Sequence, residues 1–461
     1  MMTLHPTPPA RRPRRRRGVT SVLAMMYLVL FATLSIGFYA GTTMSVQIVK
    51  NDRYAAEAQA AAESGMQFVK YQLANLSIPH FTPQDQLFTT IYNQLKTALD
   101  NTGNLGTDTV ALVNGAICIP QTAGAFVSLG PEGAFSAQVS QSGQQLVVKV
   151  TGRGGNLLVT RGIKLNYGIA MRASAVFNYG IASQGKVTTG GSSDVIGSPD
   201  PAKGSILSAT MTDATPVVAG GRSISGDISI VNPTGNVTVS GSVGGTSNTT
   251  IILRDHVHKG VEAPEFPTVD TAAFTTYATT AWDGTKNLTN MYIPPNTNPT
   301  FNGGANIKGV LYIKAPNKVK FRGNTVIQGV IVTENTPAGG LTTNTLDFAG
   351  NVSATGVETL PSTYGALRSL TGSFLLAPNY AVSFTGDFGT VNGSIIASKI
   401  DFTGNSGGIV KGSIINLNNV PMTVNGSADI TIASTGTTNY PSGVFFGSNY
   451  VPLPDTYDEV K

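Results

Sequence analysis

The stretch "FRGNTVIQGVIV", Phe321–Val332, has a near-copy beginning twenty residues earlier, "FNGGANIKGVLY" from Phe301. In both, a phenylalanine and a glycine stand eight residues apart, and an apolar run follows the glycine. Working outward, the pattern returns as "FAGNVSATG" from Phe348, "FTGDFGTVNG" from Phe384 and "FTGNSGGIVKG" from Phe402, with a fainter "VNG" at Val424–Gly426. Short strands are expected after the corner glycines: "VLYI" from Val310, "VIV" from Val330, and "SII" from Ser394 and again from Ser413. Each unit is a pair of short strands with a glycine corner. It cannot bury its own apolar face, and stacking such units creates a continuous core.

The repeat therefore predicts a parallel β-helix, a solenoid, over residues 171–435. Phenylalanines would form an internal ladder, and glycines would take corner dihedrals that other residues avoid. The phenylalanine intervals of 20, 27, 36 and 18 residues fit a coil of about 18–20 residues. The 27 reads as a coil with an inserted loop. The 36 reads as a missed copy of doubled length, marked by Gly372 and "SFLLAP". Earlier coils are expected at "RSISGDISIV" from Arg222 and "NVTVSGSVGG" from Asn236. Residues 254–300 break the repeat and read as an insertion, a loop or short helix laid across the solenoid.

Composition agrees with a turn-rich β protein. Of 461 residues, 53 are glycine and only 12% are charged, unlike the charge-rich composition of disordered chains. The net charge of +5 is misleading, because Arg11, Arg12 and Arg14–Arg17 carry +6 and the remainder sums to −1. The basicity is local, and no nucleic-acid partner is expected for the body. A single cysteine, Cys118, excludes an internal disulfide and is expected to be a small buried residue.

After those arginines, Gly18–Val49 contains no charged residue. Val19–Ala40 alone supplies 22 mostly apolar positions, against the ~20 that span a bilayer core. That is longer than the apolar region of a secretory signal, and no small-x-small cleavage site follows closely. Arginines before the span predict a cytoplasmic N-terminus with the body outside. The chain continues to Leu76 without proline and is rich in alanine, so one rod-like helix over 19–76 is expected. Its small residues suit close lateral packing of helices.

The pairing of Arg17-Gly18 with "AQAAAESGM" at Ala58–Met66 resembles type IV pilin-like proteins, especially the PilX-type minor pilins. In that family a basic leader ends in glycine, an apolar helix follows, and a similar alanine-rich segment comes after it. The resemblance covers about the first 75 residues. It implies cleavage after Gly18 by a prepilin peptidase, leaving Val19 as the new N-terminus, and residues 1–18 as the leader. Leu23 stands where major pilins carry a glutamate that pairs with a neighbour's terminal amine. An unpaired carboxylate in the bilayer is costly, so its absence suits a subunit that need not dock below a growing chain. "FNYG" at Phe177–Gly180 and the tail "NYVPLPDTYDEV" from Asn449 also resemble a β-helix domain of unassigned function found behind such N-termini.

Residues 77–170 read as a head. Leu87, Ile91, Leu95 and Leu99 recur every fourth residue, predicting an amphipathic helix over 84–100 that covers a sheet. Strands are expected at 133–141, 146–152 and 157–167, with turns at "QSG" and "RGG". Residues 436–461 remain as a C-terminal tail. The fold class is thus mainly β with a long N-terminal α-helix: a pilin-like helix plus a small antiparallel sheet, then the parallel β-helix.

Chemistry-bearing residues are sparse. His256 and His258 alternate along a predicted strand with Asp255, Glu262 and Glu265 near, but no third metal ligand stands at a usual spacing. Asp347, Asp387 and Asp401 adjoin repeat phenylalanines or glycines; Asp347 and Asp401 would face outward if the rings face in. With no base nearby, they do not make the paired groups of a glycosidase. Neither a catalytic residue, a metal nor a cofactor is expected. One charge cluster stands out: Lys308, Lys314, Lys318, Lys320 and Arg322, with no acid between Ala305 and Thr333. It reads either as a solvated face or as a docking patch for anionic envelope polysaccharide.

These observations favour a non-enzymatic envelope protein of the bacterial inner membrane, single-pass, with its body periplasmic or extracellular. Its expected partners are other pilin or pseudopilin subunits and the membrane, and its β-helix would serve assembly, adhesion or spacing. The alternative is a stand-alone anchored β-helix that binds or cleaves cell-surface polysaccharide.

Overall fold

In a computed structural model, the phenylalanines of the repeat are stacked inside one solenoid. The structure describes residues 17–78, 82, 84–122, 124–154, 159–171, 174–433 and 440–460. Of the leader, Arg11, Arg12 and Arg14–Arg16 lie outside these. The chain divides into two units: 1–76, 83–170 and 449–461 form one, and 77–82 with 171–448 form the other.

The first unit is built on helix α1, Arg17–Ala74. Its first part is exposed throughout, with Val19, Leu28, Phe31, Ile36 and Phe38 all bare. From Ala58 onward one stripe is buried: Ala58, Ala61, Ala62, Met66, Val69 and Leu73, the three- and four-residue steps of a helix face. Helix α2, Gln84–Leu99, buries Leu87, Ile91, Leu95 and Leu99. The antiparallel sheet runs in the order Ala111–Val113, Ala116–Ile119, Ala134–Ser142, Gln145–Arg153, Thr160–Met171, Ser448–Pro452.

Gly152 decides how closely α1 meets that sheet. A Cβ there would collide with the Ala58 carbonyl oxygen and the Ala62 amide, so backbone lies against backbone. Further along the same pair of strands, Tyr167 is wholly buried opposite Leu146 and its hydroxyl points at Met66 Sδ, 3.5 Å away; burial pushes its phenol up to about 12. Cys118 is half-buried on the second strand rather than enclosed, and partial burial raises its thiol.

Two features of this sheet lay outside the sequence reading. The first hairpin turns at Asn114-Gly115, both with positive φ, the Asn-Gly turn whose twist matches paired strands. The tail is not a free appendage either: Asp458–Val460 pairs antiparallel with Thr160–Met171, and Leu453 N–H donates to the Asn166 carbonyl at 2.8 Å. The solenoid sequence is therefore inserted between two strands of the head.

The second unit winds three ladders of parallel strands. Apolar side chains from all three fill its interior, and Phe301, Phe321, Phe348, Phe384 and Phe402 form a column there. Successive rings lie 5.2, 4.9, 4.9 and 5.0 Å apart and within 11° of parallel. Trp282 closes one end of the column edge-on to Phe301. In register beside it, Gly329 sits on Gly309, where a Cβ would collide with the Gly309 carbonyl oxygen. That collision explains the closing glycine of the repeat.

The 36-residue interval is corrected by this stack. Phe348 and Phe384 are direct neighbours, so the interval is one coil and not two. Its extra length is spent on the 3-10 turns Val357–Thr359 and Ser362–Ser369. The break at 254–300 is narrower than expected. Val257–Lys259, Asn287–Ile293 and Thr300–Asn302 all belong to the ladders.

Coils do not stack in sequence order. Ile181–Ser183 enters in the middle, pairing on one side with Ile206–Ser208 and on the other with Ile414–Asn416. From there the chain winds to Val257–Lys259 at one end. It crosses through 260–286 to the opposite end, where Thr280–Ala281 pairs parallel with Asn287–Ile293, and winds back until its last coil docks on its first. The crossing segment places Val269, Phe274 and Ala278 in a second apolar layer over Val310, Tyr312, Val330, Leu376 and Ile396. This ladder is covered on both faces, which is why its strands read as unbroken apolar runs. The next ladder, as in "KVKFR" at Lys318–Arg322, alternates because its outer face meets water.

Candidate functional site

The outward positions of that alternating ladder form a column whose register runs Thr300, Lys320, Asp347, Ser383, Asp401, Thr423. Inward-pointing phenylalanines at the alternate positions force these side chains out. Asp347 accepts a hydrogen bond from Ser383 Oγ at 3.1 Å, and Asp401 pairs with Lys399 Nζ at 2.8 Å. A whole coil separates the two carboxylates, a gap of about 9.5 Å at ordinary strand spacing. Asp387 instead caps a turn, accepting from the Gly389 N–H.

The structure divides the five sequence-predicted cations into two groups. Lys318, Lys320 and Arg322 project together from one strand, with Lys318 and Arg322 exposed and Lys320 half-buried. Lys308 and Lys314 belong to the preceding side of the coil, and each lies over a tyrosine ring. Lys308 Nζ is 5.9 Å from the Tyr364 centroid and Lys314 Nζ is 4.5 Å from that of Tyr292. These two are thus already engaged with aromatic faces.

Lys286, which sequence reasoning missed, takes their place. Its ammonium donates to the Asn302 carbonyl at 2.5 Å, and Asn302 is the strand partner of Arg322. No local signal could have found it, because it comes from the end of the crossing segment. Among the described residues none of Lys286, Lys318, Lys320 and Arg322 lies in an ion pair. Other cations of the solenoid do: Arg222 with Asp194, Arg254 with Asp255, and Lys399 with Asp401.

The histidines are differently arranged than the sequence suggested. His256 ends a short helical turn, Ile252–His256, and His258 lies on Val257–Lys259. Both meet Asp227, across 2.8 Å at His256 Nδ1 and 3.1 Å at His258 Nε2. Burial raises the Asp227 carboxyl, but the two imidazole hydrogen bonds and their charge outweigh it and hold it below the usual carboxylate value. Asp255 is taken by Arg254. Among the described residues no group of three or more His, Cys, Asp or Glu is arranged to hold a metal ion.

At the other end of the chain, Gly18 and Val19 lie in the first turn of α1. The helix is long and apolar enough to cross a membrane by length and composition.

No protein-family model matches the chain, and no curated protein is similar to it in sequence. Among solved structures, the competence-associated pilin ComZ from Thermus thermophilus is similar over 88% of this chain and 97% of its own, at 13% identity and a TM-score of 0.29.

Proposed function

We propose that the protein is a membrane-anchored, non-enzymatic, minor-pilin-like or pseudopilin-like subunit that displays a β-solenoid outside the cytoplasm. The division of α1 carries this reading. Its first half is uncharged and bare from Val19 to Val49, while its second half supplies the buried stripe of an α/β head. A soluble protein would pay heavily to leave so much apolar surface in water, and a bilayer or neighbouring helices would remove it. The basic leader supports a cytoplasmic N-terminus in the inner membrane. The resemblance of Arg17-Gly18 and Ala58–Met66 to PilX-type minor pilins supports cleavage at Gly18 and partnership with other pilin subunits. A solenoid inserted into the head, with both its ends returning to the head sequence, suits display of a module without disturbing the anchor.

Intact mass and N-terminal sequencing of the membrane-extracted protein, made in cells that contain a prepilin peptidase, test this. The expected mature chain begins at Val19. A chain beginning at Met1, or cut beyond Ala40, overturns the pilin-like assignment.

A further inference from the structure

We infer that Lys286, Lys318, Lys320 and Arg322 form a docking surface for an acidic polysaccharide of the uronate class. This goes beyond the anchoring reading and needs neither leader cleavage nor assembly.

Three of these cations share one strand face at alternate positions, about 6.8 Å apart, and the fourth reaches the adjoining coil about 4.8 Å away. Like charges held this closely repel one another; Asp347 is the register neighbour of Lys320, yet among the described residues no acid forms an ion pair with any of the four, as acids do for the solenoid's Arg222, Arg254 and Lys399. An external anion would offset that repulsion. Beyond the cations, the same flat face presents Asp347, Ser383, Asp401 and Thr423 in register. A polymer that combined carboxylates with hydroxyls would meet both halves: carboxylates at the basic strand, and hydroxyls donating to Asp347 further along.

The same residues disfavour a nucleic acid. No aromatic side chain lies among the outward positions Thr300, Asn302, Lys318, Lys320, Arg322, Asp347, Ser383 and Asp401 for bases to stack on.

The test uses the full chain in detergent micelles, with polygalacturonate, a neutral glucan and double-stranded DNA as probes. The wild type should bind polygalacturonate and not the glucan, and its affinity should fall at least about tenfold between about 50 and about 300 mM salt. Replacing Lys286, Lys318, Lys320 and Arg322 by serine should weaken binding by about tenfold or more with the melting temperature unchanged, since none is in the core. Replacing Lys203, Lys259 and Lys411, cations outside this strand and its neighbour, should leave binding intact. Equal binding by the fourfold variant, binding insensitive to salt, or no binding of polygalacturonate by the wild type at low salt overturns the proposal. Tighter binding of DNA through the same four residues overturns it too, because the surface would then be a nucleic-acid site. A chain whose leader is uncut but which binds polygalacturonate as described would overturn the pilin-like reading and leave this one standing.

Discussion

The ring of Phe348 lies 4.9 Å from the ring of Phe384 and within 8° of parallel, though thirty-six residues separate them. Every other coil in the column spends fewer residues between its rings. The difference leaves the stack as 3-10 turns on the outside, so the interior repeat is undisturbed.

Because the Phe384 ring is sandwiched between Phe348 and Phe402 and fully buried, Phe384→Ala should cost about 3–5 kcal/mol, and Phe384→Leu distinctly less. Denaturant unfolding of the detergent-solubilised protein, followed by circular dichroism, measures both. Near-neutral stability of the alanine variant would show that the column contributes little.

Gly152→Ala places a methyl group where the Ala58 carbonyl and Ala62 amide already lie. Since backbone rather than a flexible side chain must yield, about 1–3 kcal/mol of destabilisation is expected. Faster proteolysis within α2 or residues 134–153 is the readout, with solenoid fragments retained. A variant as resistant as the wild type would mean that helix and strand can part at no cost.

Where the last coil docks on the first, Asp429 faces Asp194 in register. Arg222 joins both, with its guanidinium on the largely buried Asp194 carboxylate and 3.7 Å from Asp429. Arg222→Ala leaves two adjacent carboxylates without a cation. A loss of about 1–2 kcal/mol at neutral pH is expected, discounted because Arg222 is largely exposed. Adding Asp194→Asn should recover part of it, because one of the two facing carboxylates is then gone. A double variant no more stable than Arg222→Ala alone would contradict the account.

Asp227 titrates below its ordinary value because His256 and His258 hold its charged form. A carboxyl whose folded value is depressed contributes stability above its unfolded pKa of about 3.9, and loses it as pH falls through the folded value. The melting temperature of Asp227→Asn should therefore lie below the wild type at pH 6, with the gap closing toward pH 3. A gap that persists or widens on acidification would show that the histidines do not stabilise the charge.

Much of this molecule is legible locally. Alternating and continuous apolar runs distinguish the wet ladder from the covered one, since a side chain's direction on a strand depends only on its parity. Ala58–Leu73 and Leu87–Leu99 declare buried helix faces by their spacing for the same reason. The repeat Phe-x₇-Gly reveals both the ring column and the glycine contact, because identical coils meet identical neighbours. What the sequence could not carry is which coil meets which. Pairing Ile414–Asn416 with Ile181–Ser183 joins residues more than two hundred positions apart, and nothing in either short strand names the other. The same closure brings Asp429 to Asp194, the crossing segment brings Lys286 to the strand neighbour of Arg322, and the end coil brings two histidines to Asp227. Those meetings are decided by the burial of whole coils against one another, a cooperative energy that belongs to the stack and to no single segment of the chain.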